Sequence, residues 1–172
     1  MKKLFVLLCL TSSLFGFSQE KETANFKRNE LKGNALFLVL GVVEVTYERL
    51  ITEDSGVGVS FLYGKREDVN SFYYVTPYYR AYFGKKPAAG FFVEGFGMIN
   101  SEVETYSYYD GQNYKQQDKR LTDFALGFGL GSKWVHKRGF VFEINAGVGR
   151  NLFNNNVYDV VPRAGITLGY RF

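Results

Sequence analysis

The chain has 172 residues, 46% hydrophobic and 18% aromatic, with 17 Phe, 13 Tyr, 19 Gly, three Pro and a formal net charge of +4. A single cysteine and a single histidine exclude a disulfide framework and a His/Cys zinc set, and so small a charge without a basic cluster argues against nucleic acid as a partner. Mean hydropathy of −0.16 beside so many aromatics points to alternating rather than blocked apolar residues.

In chain order, residues 1–18 read as a signal peptide. Lys2 and Lys3 form a charged start, Leu4 to Leu10 an apolar stretch, and Gly16 and Ser18 the small residues before a cut at Gln19. Cys9 lies in mid-stretch after Leu8, so it is not placed as a lipidation site. Cleavage takes Lys+Arg from 21 to 19 against an unchanged 17 Asp+Glu, a mature charge of +2. Residues 19–30 form a short polar periplasmic segment, and residues 31–172 form the domain proper. The longest apolar run there, Ala35 to Val43, is far shorter than the roughly 20 residues of a membrane helix.

The domain reads as eight strands: 31–39, 42–51, 57–63, 72–83, 91–105, 121–135, 140–152 and 160–172. Alternation is clearest in the last three. Phe124, Leu126, Phe128, Leu130 and Trp134 oppose Asp123, Gly127, Gly129, Gly131 and Lys133. Phe140, Phe142, Ile144, Ala146 and Val148 oppose Glu143, Asn145, Gly147 and Gly149. Pro162, Ala164, Ile166, Leu168, Tyr170 and Phe172 oppose Arg163, Gly165, Thr167, Gly169 and Arg171. Glycine-rich polar faces do not suit a solvent-facing surface, and strands of this length match the 9–11 tilted residues that cross a bilayer. Apolar outside and polar inside predicts an all-β, eight-stranded antiparallel up-and-down transmembrane β-barrel.

Connection lengths agree. With both termini periplasmic, the turns at 52–56, 84–90 and 136–139 are short, and the outer connections at 65–71, 106–120 and 154–159 are longer or more polar. The first outer connection, near Val39 to Val42, breaks the rule.

The even strand set, the alternating connections and the C-terminal GITLGYRF resemble the small OmpA/OmpX-type barrels of Gram-negative outer membranes, over nearly all of the mature chain. The opening LKGNALFLVLGVVEVTYERL resembles the start of an unknown-function branch of such barrels, which implies no activity. The resemblance also implies that Ile166, Leu168, Tyr170 and Phe172 are the signal read by the barrel-assembly machinery.

Phasing places Glu44, Glu48, Arg80, Glu94, Asp123, Lys133, Glu143, Arg163 and Arg171 in the lumen. Near balance favours a plug of ion pairs over a selective pore, which usually carries an excess of one sign. The glycines of GFGLG (Gly127 to Gly131) recur every second residue inside a strand with no helix after them. They read as space for bulky lumen neighbours such as Phe92, Phe96 and Met98, not as a phosphate loop. His136 sits at the periplasmic rim, and Ser132 is about 13 Å away along the strand, so no hydrolase set forms.

Two readings stand for Tyr106, Tyr108, Tyr109 and Tyr114. They form a recognition surface for a protein partner in the Tyr106–Arg120 segment, on a hairpin turned at Asp110-Gly111, or an aromatic girdle at the headgroups. The expected function is a non-enzymatic barrel, structural or accessory to an envelope assembly, without cofactor or metal, its partners being outer-membrane lipid and the assembly machinery. The alternatives are a narrow passive channel, a lipid-modifying enzyme and a soluble lipocalin-like binder.

Overall fold

A computed structural model describes residues 26–65, 71–109, 111, 113–153 and 159–172, with the backbone alone described at 104. The signal peptide, residues 19–25 and parts of the outer connections lie outside the described residues. Eight strands run up and down: β1 (Asn29–Asn34), β2 (Val43–Leu50), β3 (Ser55–Gly64), β4 (Phe72–Tyr82), β5 (Gly90–Tyr109), β6 (Tyr114–Val135), β7 (Phe140–Asn151) and β8 (Val160–Arg171). Each pairs antiparallel with its sequence neighbours, and β8 closes on β1 (Glu30↔Arg171 to Asn34↔Thr167) into a barrel. At the base of that seam, Asn29 N–H donates to Phe172 O (3.1 Å) and Phe172 N–H to Asn29 O (2.8 Å). Closure leaves no edge inside the barrel, which is what a strand-built membrane span requires.

The wall has two chemistries. Val45, Tyr47, Val59, Phe61, Tyr79, Val93, Leu126, Phe128, Leu130, Phe142, Ile144, Ile166 and Leu168 all lie exposed on the outside. Inside, polar and charged side chains are buried: Glu30, Lys32, Glu48, Arg80, Lys133 and Glu143 are at most 2% exposed. A soluble barrel would reverse this, so the outer surface is one that lipid covers. Aromatic pairs lie low on that surface: Trp134 with Phe142 (5.4 Å), Phe140 with Tyr170 (5.8 Å) and Phe83 with Phe91 (6.1 Å).

The first hairpin departs from the sequence reading. β1 starts at Asn29 rather than 31, so Glu30 belongs to the wall and not to the periplasmic segment. It stops at Asn34, and Ala35–Val39 form a helical turn, α1, instead of continuing the strand. Asn34 is the cause: its side-chain Oδ1 accepts the N–H of Phe37 (3.4 Å), capping the turn. The connection therefore spans 35–42, longer than the turns at 51–54 and 136–139 on the opposite end of the barrel.

The second departure is length. β5 has 20 residues and β6 has 22, paired from Gly90↔Lys133 to Tyr109↔Tyr114. Much of the expected 106–120 loop is therefore strand. The connection takes four residues, 110–113, not the two expected at Asp110-Gly111. Asp110 itself lies outside the described residues.

Candidate functional site

The site is the lumen. Among the described residues its centre holds five acids (Glu30, Glu44, Glu48, Glu94 and Glu143) and five bases (Lys32, Arg80, Lys133, Arg163 and Arg171), all joined by ion pairs. Strand parity explains the convergence: in β1 Glu30, Lys32 and Asn34 point inward while Leu31 and Gly33 point out, and the same alternation runs through each partner strand.

Glu48 is the hub. It accepts from Lys32 Nζ (2.6 Å), Tyr78 Oη (2.8 Å), Lys133 Nζ (2.9 Å) and Arg80 Nη1 (3.2 Å), and also from the Tyr82 hydroxyl. Glu143 accepts from Arg80 Nη1 (2.8 Å) and Lys32 Nζ (3.0 Å), not from Arg163 on the neighbouring strand. Arg163 reaches across to Glu94 (2.9 Å), to Ser60 Oγ (3.1 Å) and, more loosely, to Glu44 (3.8 Å). Arg80 Nε donates to Glu94 (2.7 Å). Lys133 donates to Glu30 (2.8 Å) and to Tyr82. Asp123 stands higher, its carboxylate accepting the N–H groups of Phe124 (2.7 Å) and Phe153 (3.1 Å). Of the ionisable residues in this network, Glu30, Lys32, Tyr78 and Tyr82 escaped the sequence reading.

Aromatic rings clamp the charges from both sides. The Arg80 guanidinium lies 4.2 Å from the Phe92 ring centre and 4.4 Å from that of Tyr78, and Lys133 Nζ lies 4.4 Å from that of Tyr82. Leu50, Tyr82, Ala88 and Phe92 form an apolar floor, while Tyr78, Phe96, Met98 and Ala125 form a ceiling. The glycines make this possible. Phe92, Glu94 and Phe96 stand directly opposite Gly131, Gly129 and Gly127. A Cβ on Gly127 or Gly131 would run into the Phe96 or Phe92 ring, and one on Gly129 would approach Glu94 Oε1 at 3.0 Å.

The mouth at the end of the barrel that holds Asn29 and Phe172 is closed by the β4–β5 turn. Arg171 donates from Nε to Glu30 (2.7 Å), from Nη1 to Pro87 O (2.8 Å) and from Nη2 to Ala88 O (2.7 Å). Ala88 is fully buried there in the left-handed region, at φ +43°. Within the charged layer, a polar cavity of about 10 Å³ lies among Asn34, Glu44, Asn145 and Arg163, room for about one water molecule. Asn145 Oδ1 is buried without a hydrogen-bond partner among the described residues.

The remaining candidate residues are on the outside. Ile166, Leu168 and Tyr170 share the outward face of β8, and Phe172, one residue past its end, is also exposed. His136 is exposed at the β6–β7 turn, where its Nδ1 accepts the Arg138 N–H (3.3 Å). Beyond Phe72↔Glu102 on one side and the Leu152 and Phe153 N–H bonds to Phe124 O and Asp123 on the other, β5 and β6 pair only with each other among the described residues, as a two-stranded ribbon. The four tyrosines do not form one patch. Register puts Tyr106 opposite Gln117 and Tyr108 opposite Lys115 on one face, and Tyr109 opposite Tyr114 on the other, with those two rings 5.2 Å apart.

A closed barrel of eight strands with lipid-facing walls and a filled, charged interior defines the fold class of the small OmpA-type barrels. The N-terminal β-barrel domain of Pseudomonas aeruginosa OprF has this fold: it superposes with a TM-score of 0.54 at 17% identity, over 86% of this chain and 98% of that one. No protein-family model matches the sequence, and no curated protein is similar to it.

Proposed function

We propose that the protein is a non-enzymatic barrel of the outer membrane, its lumen a structural plug and its β5–β6 ribbon an extracellular contact surface for another envelope protein. The observation that carries the reading is the neutral ten-group network, whose charges pair directly around a cavity of about 10 Å³ beside Asn34, Glu44, Asn145 and Arg163. A conducting lumen needs a file of water between charges, whereas here the carboxylates are bonded directly to guanidinium, ammonium or amide groups. The ribbon supports the second half. Its tip carries Tyr114 at 82% exposure, and tyrosine offers large contact area at small entropic cost.

The test is the full chain in planar bilayers, together with photo-crosslinking from positions Tyr108 and Tyr109 in native membranes. The expected outcome is no stable unitary current and a discrete crosslinked protein. Large, stable currents from the wild type would overturn the plug in favour of a narrow channel, and crosslinks to lipid alone would make the tyrosines a girdle. Phe172 is proposed to complete the signal read during barrel assembly. Deleting it should lower the folded fraction seen on unboiled gels, and unchanged levels would remove that role.

A further inference from the structure

The wall is not equally tall all round, and the difference falls on one seam. β8 has 12 residues and β1 has six. At about 3.3 Å per residue and a tilt near 40°, β8 rises about 30 Å along the membrane normal and β1 only about 15 Å, against an apolar belt of about 25 Å. The β1–β8 ladder accordingly stops at Asn34↔Thr167, and residues 160–166 of β8 continue upward with no β1 partner. α1 packs against β8 there. One residue holds the corner: Asn34 caps α1, and its Nδ2 donates to Glu44 Oε2 (2.6 Å) and to Ala164 O (3.3 Å), above the last ladder pair.

The segment filling this notch carries no polar side chain from Ala35 to Val43. None of the α1 residues is buried, and Leu38 is 65% and Val39 86% exposed. A connection that stood in water would leave Leu36, Leu38, Val39, Leu40 and Val43 unshielded, a cost that scales with the apolar area left wet. Yet the patch is continuous with the outward row of Val45 and Tyr47 on β2, and with Ile166 and Leu168 on β8.

We propose that α1 is embedded in the bilayer: its apolar residues lie among the acyl chains of the outer leaflet and complete the lipid-facing belt where β1 is too short to do so. Acyl chains are the occupant that the geometry favours, because the patch sits at the height where neighbouring strands already face lipid. It also stands apart from the ribbon on β5 and β6 that Proposed function assigns to a protein. Topologically the segment is an outer loop; chemically it is wall.

The test uses the full chain with Cys9→Ser, which removes the single cysteine. Four variants then carry one cysteine each: Leu38→Cys and Val39→Cys on α1, Phe128→Cys as the mid-belt reference, and Tyr114→Cys as the aqueous reference. In vesicles of dibromo-acyl phosphatidylcholine, a bimane label at 38 or 39 should be quenched to the extent seen at 128. A charged maleimide should label the α1 cysteines at least tenfold more slowly than the cysteine at 114. Labelling at the rate of 114, without quenching, would overturn the proposal. So would quenching in vesicles combined with loss of lipid contact and a protein crosslink from position 38 in native membranes, since the occupant would then be a protein. Two α1 positions, each checked for heat-modifiable mobility, keep the result readable if one variant fails to fold. Absence of current or of a ribbon crosslink leaves this result untouched, so the two readings fail independently.

Discussion

The same two strands, β5 and β6, carry opposite chemistry in their lower and upper halves. Inside the barrel three large residues of β5 stand opposite glycines: Phe92 and Gly131, Glu94 and Gly129, Phe96 and Gly127. Above the rim, large stands opposite large: Tyr106 and Gln117, Tyr108 and Lys115, Tyr109 and Tyr114. The lower half must share a closed interior of fixed diameter, so volume added on one strand has to be removed from the next. In the upper half both faces meet solvent and no such constraint acts. Charge follows the same division. Glu48 and Lys133 are fully enclosed and held by several partners, whereas Asp118 on the ribbon accepts a bond from Thr105 Oγ1 (2.7 Å) at the surface. Cost of removal should therefore fall steeply from the lumen to the ribbon.

The largest effect should come from the hub. Glu48→Ala leaves Lys32, Arg80 and Lys133 inside with one acid fewer and removes the acceptor of two tyrosine hydroxyls. Stranding a buried charge typically costs roughly 3–5 kcal/mol. Glu143→Ala, which removes an acceptor from only two cations, Lys32 and Arg80, and from no tyrosine, should fall at or below the lower end of that range. Reversible urea unfolding of the full chain in detergent measures both. A loss of about 1 kcal/mol or less for Glu48→Ala, the value typical of a surface pair, would show that the lumen is effectively wet and erase the contrast.

Next in size is the volume rule itself. Gly131→Leu sends a side chain into the Phe92 ring and the Ile144 carbonyl. Overpacking of this kind costs about 1–3 kcal/mol. The double variant Gly131→Leu with Phe92→Gly exchanges large and small across the pair and should recover part of that loss. No recovery would mean that the glycine serves the backbone contact with Ile144 and not the space of Phe92.

These contrasts also mark what could be read in the residues beforehand. Strands β6 to β8 were legible because lipid on one side and a crowded lumen on the other print a period of two. Where the environment does not differ between faces, the print vanishes. Residues 106–120 look like a loop because both faces of the ribbon are polar, although register continues to Tyr109↔Tyr114. Ala35 to Val39 look like strand because an apolar run carries no period, and only the Asn34 side chain reveals the helical turn. Tyr78 and Tyr82 were missed as lumen residues because β4 carries tyrosine on both faces, with Tyr73 and Tyr79 on the other parity. Glu30 was missed by a two-residue error in the strand start, and Lys32, inside the expected strand, because the apolar run that follows it hides the parity it shares with Asn34.

The smallest effect should be on the ribbon, and it is the most discriminating. Tyr109 and Tyr114 pair ring to ring at 5.2 Å, seven residues beyond the last β4–β5 pair. An exposed cross-strand aromatic pair contributes about 0.2–1 kcal/mol, and to the ribbon rather than the barrel. Tyr109→Ala should therefore leave the urea midpoint of the barrel unchanged within error. The tip should instead fray, giving faster amide exchange at residues 105–109 and 114–118. The same variant should weaken the protein crosslink expected from Tyr108, because the partner would have to order a frayed tip as well as bind it. A fall in barrel stability comparable to that of Glu143→Ala would show that ribbon and barrel unfold as one unit, and the division between the halves of β5 and β6 would then be one of composition without a boundary in stability.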